Sequence, residues 1–274
     1  MNSWIVAVIL GIVEGLTEFL PVSSTGHLIV VGSLLGFVGE RAASFEVVIQ
    51  LGAILSVVLL YWRRFVRLIP VRRRSLIGTG STLDGWAGLW RIGFATAPAL
   101  LVGYLARHAI KERLFNPEAV TLALAAGGIA ILLAERYGSH RSTNTLDTLT
   151  LGQAVGVGFF QVLSLWPGTS RAAATIVGGM LLGLERKSAA EFSFLIAVPV
   201  MFAATGYELI KMRDQMAFAD SLQLAVGFVI SFVVALIAVK GFISFLQRGK
   251  LTPFAWYRII AALGFYFLTR GSSF

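Results

Sequence analysis

The sequence predicts an all-α polytopic membrane protein, with about six spanning helices and two re-entrant helical hairpins in an inverted-topology repeat. Three observations predict it. Apolar residues make up 57 % of the 274 residues and charged residues only 14 %, whereas a soluble domain carries about 25 % charge. Six long apolar runs are separated by charged loops. Two further apolar runs are broken by polar, turn-forming residues. Disorder is excluded by the same composition. The lack of cysteine excludes a disulfide scaffold, an iron–sulfur centre and a thiolate zinc site. His27, His108 and His140 lie too far apart in sequence to suggest a His-rich metal site. The net charge of +9 fits cytoplasmic loops and anionic headgroups, so the expected partner is the bilayer and not nucleic acid.

No Lys or Arg precedes Arg41, so no charged n-region of a signal peptide is expected. The first apolar run, Ser3 to Val13, is too short to span, because crossing the hydrocarbon layer takes about 20 residues. It runs into Glu14, Glu18, Pro21 and a Ser-Ser-Thr-Gly-His stretch, which marks a re-entrant segment. Val47–Trp62, Ile92–Ala106, Ala119–Ala134, Phe192–Tyr207 and Ser221–Val239 are uncharged spans, and Leu251–Thr269 is a sixth with Arg258 inside it. Thr148–Ser170 is interrupted by Gln153, Gln161 and Pro167-Gly168 and ends at Arg171, so it reads as the second re-entrant segment. If the Arg-rich loop between Trp62 and Arg91 is cytoplasmic, the spans put a two-to-one excess of Lys and Arg on that side. The Arg72-Arg73-Arg74 cluster then acts as a topology determinant.

The chain reads as one integral membrane domain, 1–274, made of a first half (1–137) and a second, inverted half (148–274). Pro21-Val-Ser-Ser24 has a counterpart in Pro167-Gly-Thr-Ser170, Glu46 in Glu191, and Asn116-Pro117 in Thr252-Pro253, in the same order. Three spans per half is an odd number, which turns the second half upside down, as in many transporters.

Irregular backbone at membrane depth is tolerated only where protein or water surrounds it. Ionisable residues there are functional candidates. Glu14 and Glu18 stack on one helix face. Such a pair calls for a hard divalent cation, Mg²⁺ or Ca²⁺, or for one protonated carboxyl. Ser23, Ser24 and Thr25 can present hydroxyls and backbone N–H groups to an anion, or simply cap a helix. His27 is a candidate acid–base or nucleophilic group, or a structural histidine. Thr169 and Ser170 repeat the hydroxyl logic. Arg171 offers a guanidinium fork for phosphate, or a salt bridge to Glu14 or Glu18. If the hairpins meet, carboxylates, hydroxyls, a His and an Arg form equipment for phosphoryl transfer. Glu46, Glu191 and Arg258 rank below the hairpin residues.

Glu14-Gly-Leu-Thr-Glu18-Phe-Leu-Pro-Val-Ser-Ser-Thr-Gly-His27 resembles the signature of the integral-membrane undecaprenyl-diphosphate phosphatases of the bacitracin-resistance type. Pro167-Gly-Thr-Ser-Arg171 resembles that family's second signature, and Phe45-Glu-Val-Val-Ile-Gln-Leu-Gly52 and Glu191-Phe-Ser-Phe are also similar. The resemblance implies hydrolysis of a polyprenyl diphosphate, undecaprenyl diphosphate, to the monophosphate and inorganic phosphate. It further implies recycling of the cell-wall lipid carrier at the bacterial inner membrane, with a site open to the periplasmic side and a divalent cation. Carried over residue by residue, Glu14 and Glu18 are the acidic pair, Ser24 and His27 the reactive candidates, and Arg171 the phosphate clamp beside Ser170. One departure is Ala172-Ala173, where the family often carries Ser-Gly. Ser24, His27 and water remain open as nucleophile, and a homodimer is allowed. The rival function is an inverted-repeat transporter or flippase of an anionic lipid.

Overall fold

The computed structural model describes residues 3–70, 80–114, 116–138, 144–212 and 221–270. Arg72, Arg73, Arg74 and His140, named above, lie outside the described residues. The fold is all-α and multi-pass. Helices α1 (Ser3–Thr17) and α2 (Ser24–Leu34) form the first hairpin. They are followed by α3 (Glu40–Leu60), α4 (Trp62–Leu68), α5 (Gly85–Leu114) and α6 (Pro117–Tyr137). Helices α7 (Leu151–Val162) and α8 (Arg171–Leu181) form the second hairpin. The chain then runs through α9 (Arg186–Met212), α10 (Ser221–Leu246) and α11 (Thr252–Arg270).

Five helices are long and apolar enough to cross a membrane: Ala42–Leu60, Gly85–Ile110, Pro117–Tyr137, Arg186–Ile210 and Leu222–Leu246. They match five of the six expected spans. The sixth expected run is α11, a 19-residue helix with Arg258 in its first half. Helices α5 and α9 extend well past their uncharged runs, to 30 and 27 residues, and each carries an internal proline, Pro98 and Pro199. The outward faces of the long helices are apolar, with Ile129, Ile237, Ile260 and Phe267 exposed, as lipid contact demands. The interior holds polar groups instead, including fully buried Glu14, Gln161, Ser193 and Arg258.

Packing interlocks the halves. Helix α1 lies along α10, and α7 lies along α5. Small residues make the close approach possible: a Cβ at Gly15 would meet the Ser231 carbonyl at 2.7 Å, and one at Gly158 would meet the Phe94 carbonyl at 2.9 Å. Gln161 reinforces the second contact, donating from Nε2 to the Ala95 carbonyl at 3.0 Å. Gln153, read above as an interruption, forms a capping box with Thr150 at the start of α7.

One end of the bundle is tied by charge. Glu135 at the end of α6 accepts two bonds from Arg186, at 2.8 and 2.6 Å, and one from the Leu251 amide at 2.8 Å. Nearby, Arg64 pairs with Asp147, and the Asn144 carbonyl accepts from the Glu185 amide at 3.1 Å. These contacts gather the loops around residues 64, 147, 185 and 251 on one face.

Candidate active site

Each hairpin is broken by a turn, and both turns end on the same local conformation. Ser23 (φ 73°) and Ser170 (φ 68°) are the non-glycine residues with positive φ among the described residues. The left-handed region costs an L-residue about 1–2 kcal/mol, and such strain concentrates at functional sites. Each serine immediately precedes an 11-residue helix, α2 or α8. The two helix N-termini converge on one polar cavity of about 200 Å³. Its lining includes Glu18, Ser23, Ser24, Thr25, Gly168, Ser170 and Arg171. Unpaired N–H groups and dipoles at two helix starts, together with a guanidinium, make the cavity a place for an anion.

The side chains inside it are connected. Ser24 donates from Oγ to Glu18 Oε2 at 2.6 Å. Arg171 donates from Nη2 to Glu18 Oε1 at 3.3 Å and from Nη1 to the Ser193 carbonyl at 3.1 Å. The guanidinium also lies 5.5 Å from the Phe19 ring centroid, within range of a cation–π contact. Arg171 Nε is buried without a hydrogen-bond partner. Thr175 supports this arrangement, its Oγ1 lying 2.6 Å from Ser193 Oγ and 2.7 Å from the Arg171 carbonyl. A hydroxyl bonded to a carboxylate, beside a guanidinium, is an arrangement that could supply a nucleophile, a base and an anion clamp in one cavity.

The remaining sequence candidates distribute unevenly. Glu14 is fully buried and is not part of the cavity lining, and neither carboxylate oxygen has a hydrogen-bond partner. Ser170 lines the cavity but also caps α8, its Oγ accepting from the Ala173 amide at 3.2 Å. Thr169 is not part of the lining. His27 borders a separate apolar cavity of about 210 Å³, with Val30, Leu124 and Phe265 among its neighbours. Its Nδ1 lies 2.7 Å from the Ser23 carbonyl, and its Nε2 meets the Tyr257 hydroxyl. A carbonyl can only accept, so Nδ1 carries a proton; in the neutral ring Nε2 then accepts from Tyr257. Glu46, partly buried on α3, is not part of the lining either. Glu191 pairs with Lys187 at 4.0 Å, away from the cavity.

Sequence reasoning did not single out Gln50, Ser164 and Thr205, which line the polar cavity, or Tyr257 beside His27. Gln50 and Thr205 stand out, in retrospect, as polar residues inside apolar spans. Arg258 points neither into the cavity nor toward an interface. It is fully buried and bonded to backbone carbonyls.

The family model described as "Bacitracin resistance protein BacA" matches residues 7–264. A protein of Solidesulfovibrio magneticus named undecaprenyl-diphosphatase is 54 % identical over 267 residues, 97 % of this chain and 98 % of the relative. One of the same name from Maridesulfovibrio salexigens is 55 % identical over 262 residues, covering 96 % and 97 %. A third, from Nitratidesulfovibrio vulgaris, is 52 % identical over 269 residues, covering 98 % and 99 %.

Proposed function

The chain belongs to the bacitracin resistance protein BacA family, and from that premise we infer that it hydrolyses undecaprenyl diphosphate to undecaprenyl phosphate and inorganic phosphate. The single observation that carries the inference at the level of chemistry is the Ser24–Glu18–Arg171 constellation in one polar cavity. We assign Ser24 as nucleophile. Its Oγ attacks the terminal phosphorus while Glu18 takes its proton. A new Oγ–P bond forms, the P–O bond to the bridging oxygen breaks, and undecaprenyl phosphate leaves with the proton that Glu18 took. Water then attacks the phosphoserine with Glu18 as base, releasing inorganic phosphate and restoring the serine. Arg171 and the N-termini of α2 and α8 hold the phosphoryl oxygens. What favours Ser24 over His27 is position: Ser24 lines the polar cavity, whereas His27 borders the apolar one.

The residues fit a hard divalent cation in donor chemistry: Glu14 presents two buried carboxylate oxygens without partners, next to Glu18. Among the described residues no group of three His, Asp or Glu could hold one, so phosphate and water oxygens would complete the shell, as Mg²⁺ accepts. Glu14 and Glu18 would hold Mg²⁺ or Ca²⁺, which when bound supplies charge neutralisation for the diphosphate. We place the protein in the bacterial inner membrane, with the Arg64 face cytoplasmic and the cavity serving the periplasmic side. The two halves are read as an inverted repeat, on the strength of the matched hairpins.

The test is phosphate release from undecaprenyl diphosphate by purified protein in detergent, where no gradient exists to drive transport. Metal-dependent turnover by the wild type is expected, with Ser24→Ala slower by about 10³-fold or more. Binding without turnover would point to the transporter instead.

A further inference from the structure

Arg258 is the largest fully buried side chain among the described residues. No carboxylate pairs with it; four backbone carbonyls accept its hydrogen bonds. Two belong to α6: Nε donates to Leu124 at 3.2 Å and Nη2 to Ala123 at 3.1 Å. The other two belong to the hairpin turns: Nη1 donates to Pro21 at 3.2 Å and Nη2 to Gly168 at 2.9 Å. Pro21 lies three residues before Ser24, and Gly168 lies three residues before Arg171. One guanidinium therefore grips both turns, two residues before the left-handed serine of each, just upstream of the nucleophile on one and the clamp on the other. A second observation shows that the fold makes room for it. Gly127 and Gly128 follow Ala123 and Leu124 by one turn of α6, and a Cβ at Gly127 would strike the guanidinium.

We propose that Arg258 is the positioning residue that sets the separation between Ser24–Glu18 and Arg171 by cross-linking the two hairpin turns through their carbonyls. The planar fork is what the task needs: a lysine keeps the charge, but its single nitrogen does not reproduce the fixed geometry of the guanidinium. Arg258 touches neither the cavity nor its contents, so its influence runs through the placement of other groups. Small displacements of a nucleophile from its clamp cost large factors in rate.

The proposal rests on the phosphatase reading and is tested by a double-mutant cycle in purified, folded protein. Arg258→Lys should lower kcat by about 10- to 100-fold, with KM for undecaprenyl diphosphate changed far less. Introduced into Arg171→Ala, the same change should cost less than about threefold, because the group being positioned is already gone. Gly127→Ala leaves Arg258 chemically intact but displaces it, and should reproduce the Arg258→Lys kinetics even if Arg258→Lys itself folds poorly. Equal cost of Arg258→Lys in both backgrounds would overturn the proposal, as would wild-type kcat in Gly127→Ala. A wild type that releases no phosphate at all would sink the phosphatase reading instead, so the two failures are distinguishable.

Discussion

The two hairpin turns share a backbone and differ in what they do with it. Both pass through a left-handed serine and launch an 11-residue helix into the same cavity. In the second turn the serine completes its own structure: Ser170 caps α8, and Arg171 is held by Ser193 and Phe19. In the first turn Ser23 makes no side-chain capping bond, Ser24 turns to Glu18, and Glu14 is left with two unpartnered oxygens. The two turns therefore differ in their caps and in what they leave open: the second keeps one unpartnered Arg171 nitrogen, Nε, and the first keeps both oxygens of Glu14. Unpartnered polar groups are costly at membrane depth unless a ligand completes them.

The sharpest way to break this comparison is at the clamp itself. Arg171→Ala should lower kcat/KM by about 10²–10³-fold or more, while exposed Arg107→Ala, whose guanidinium stacks on Tyr104, should change it by less than about twofold. Similar losses in the two variants, measured by phosphate release, would remove Arg171 from the site. The difference in capping comes next. Ser170→Ala should destabilise the protein by about 1 kcal/mol through the lost cap, and Ser23→Ala by well under half of that. Thermal melting in detergent reads both, and equal shifts would erase the distinction between the turns.

The smallest effect lies outside the hairpins and serves as a baseline. The Arg64 hydrogen bond to Asp147 holds that carboxyl below the usual carboxylate range. A depressed carboxyl contributes stability above its ordinary value of about 3.9 and loses it as pH falls through the folded-state value. The pair is partly exposed, so Asp147→Asn should cost less than about 1 kcal/mol near neutral pH. The difference in Tm between variant and wild type should shrink as the pH falls below the ordinary carboxylate range. A cost that persists into acid would mean that the carboxylate charge is not what Arg64 uses.

Much of this organisation is legible in the sequence because charge is scarce in it. Glu14, Glu18 and Arg171 interrupt apolar runs, and membrane burial makes that expensive, so they identify themselves. The short length of the first broken run and the polar and Pro-Gly interruptions of the second likewise give the hairpins. What stays hidden is whatever depends on contacts between distant segments. Arg258 sits in an otherwise ordinary span, and only the folded chain shows that carbonyls from Pro21 and Gly168 reach it. His27 follows Ser24 closely in sequence, yet helical geometry turns it to the opposite cavity and to Tyr257, 230 residues away. Ser170 and Ser23 look alike as letters; their difference lies in whether an amide of the next turn is claimed.

The interlocked packing carries a consequence for how such a chain is made. Helix α1 is synthesised well before α10, yet α10 is the surface on which it rests, with Gly15 seated against the backbone around Ser231. Until α10 emerges, the Gly11 and Gly15 face of α1 lacks the backbone it packs against. A chain stopped between α9 and α10 therefore leaves that face of the acidic hairpin open to lipid.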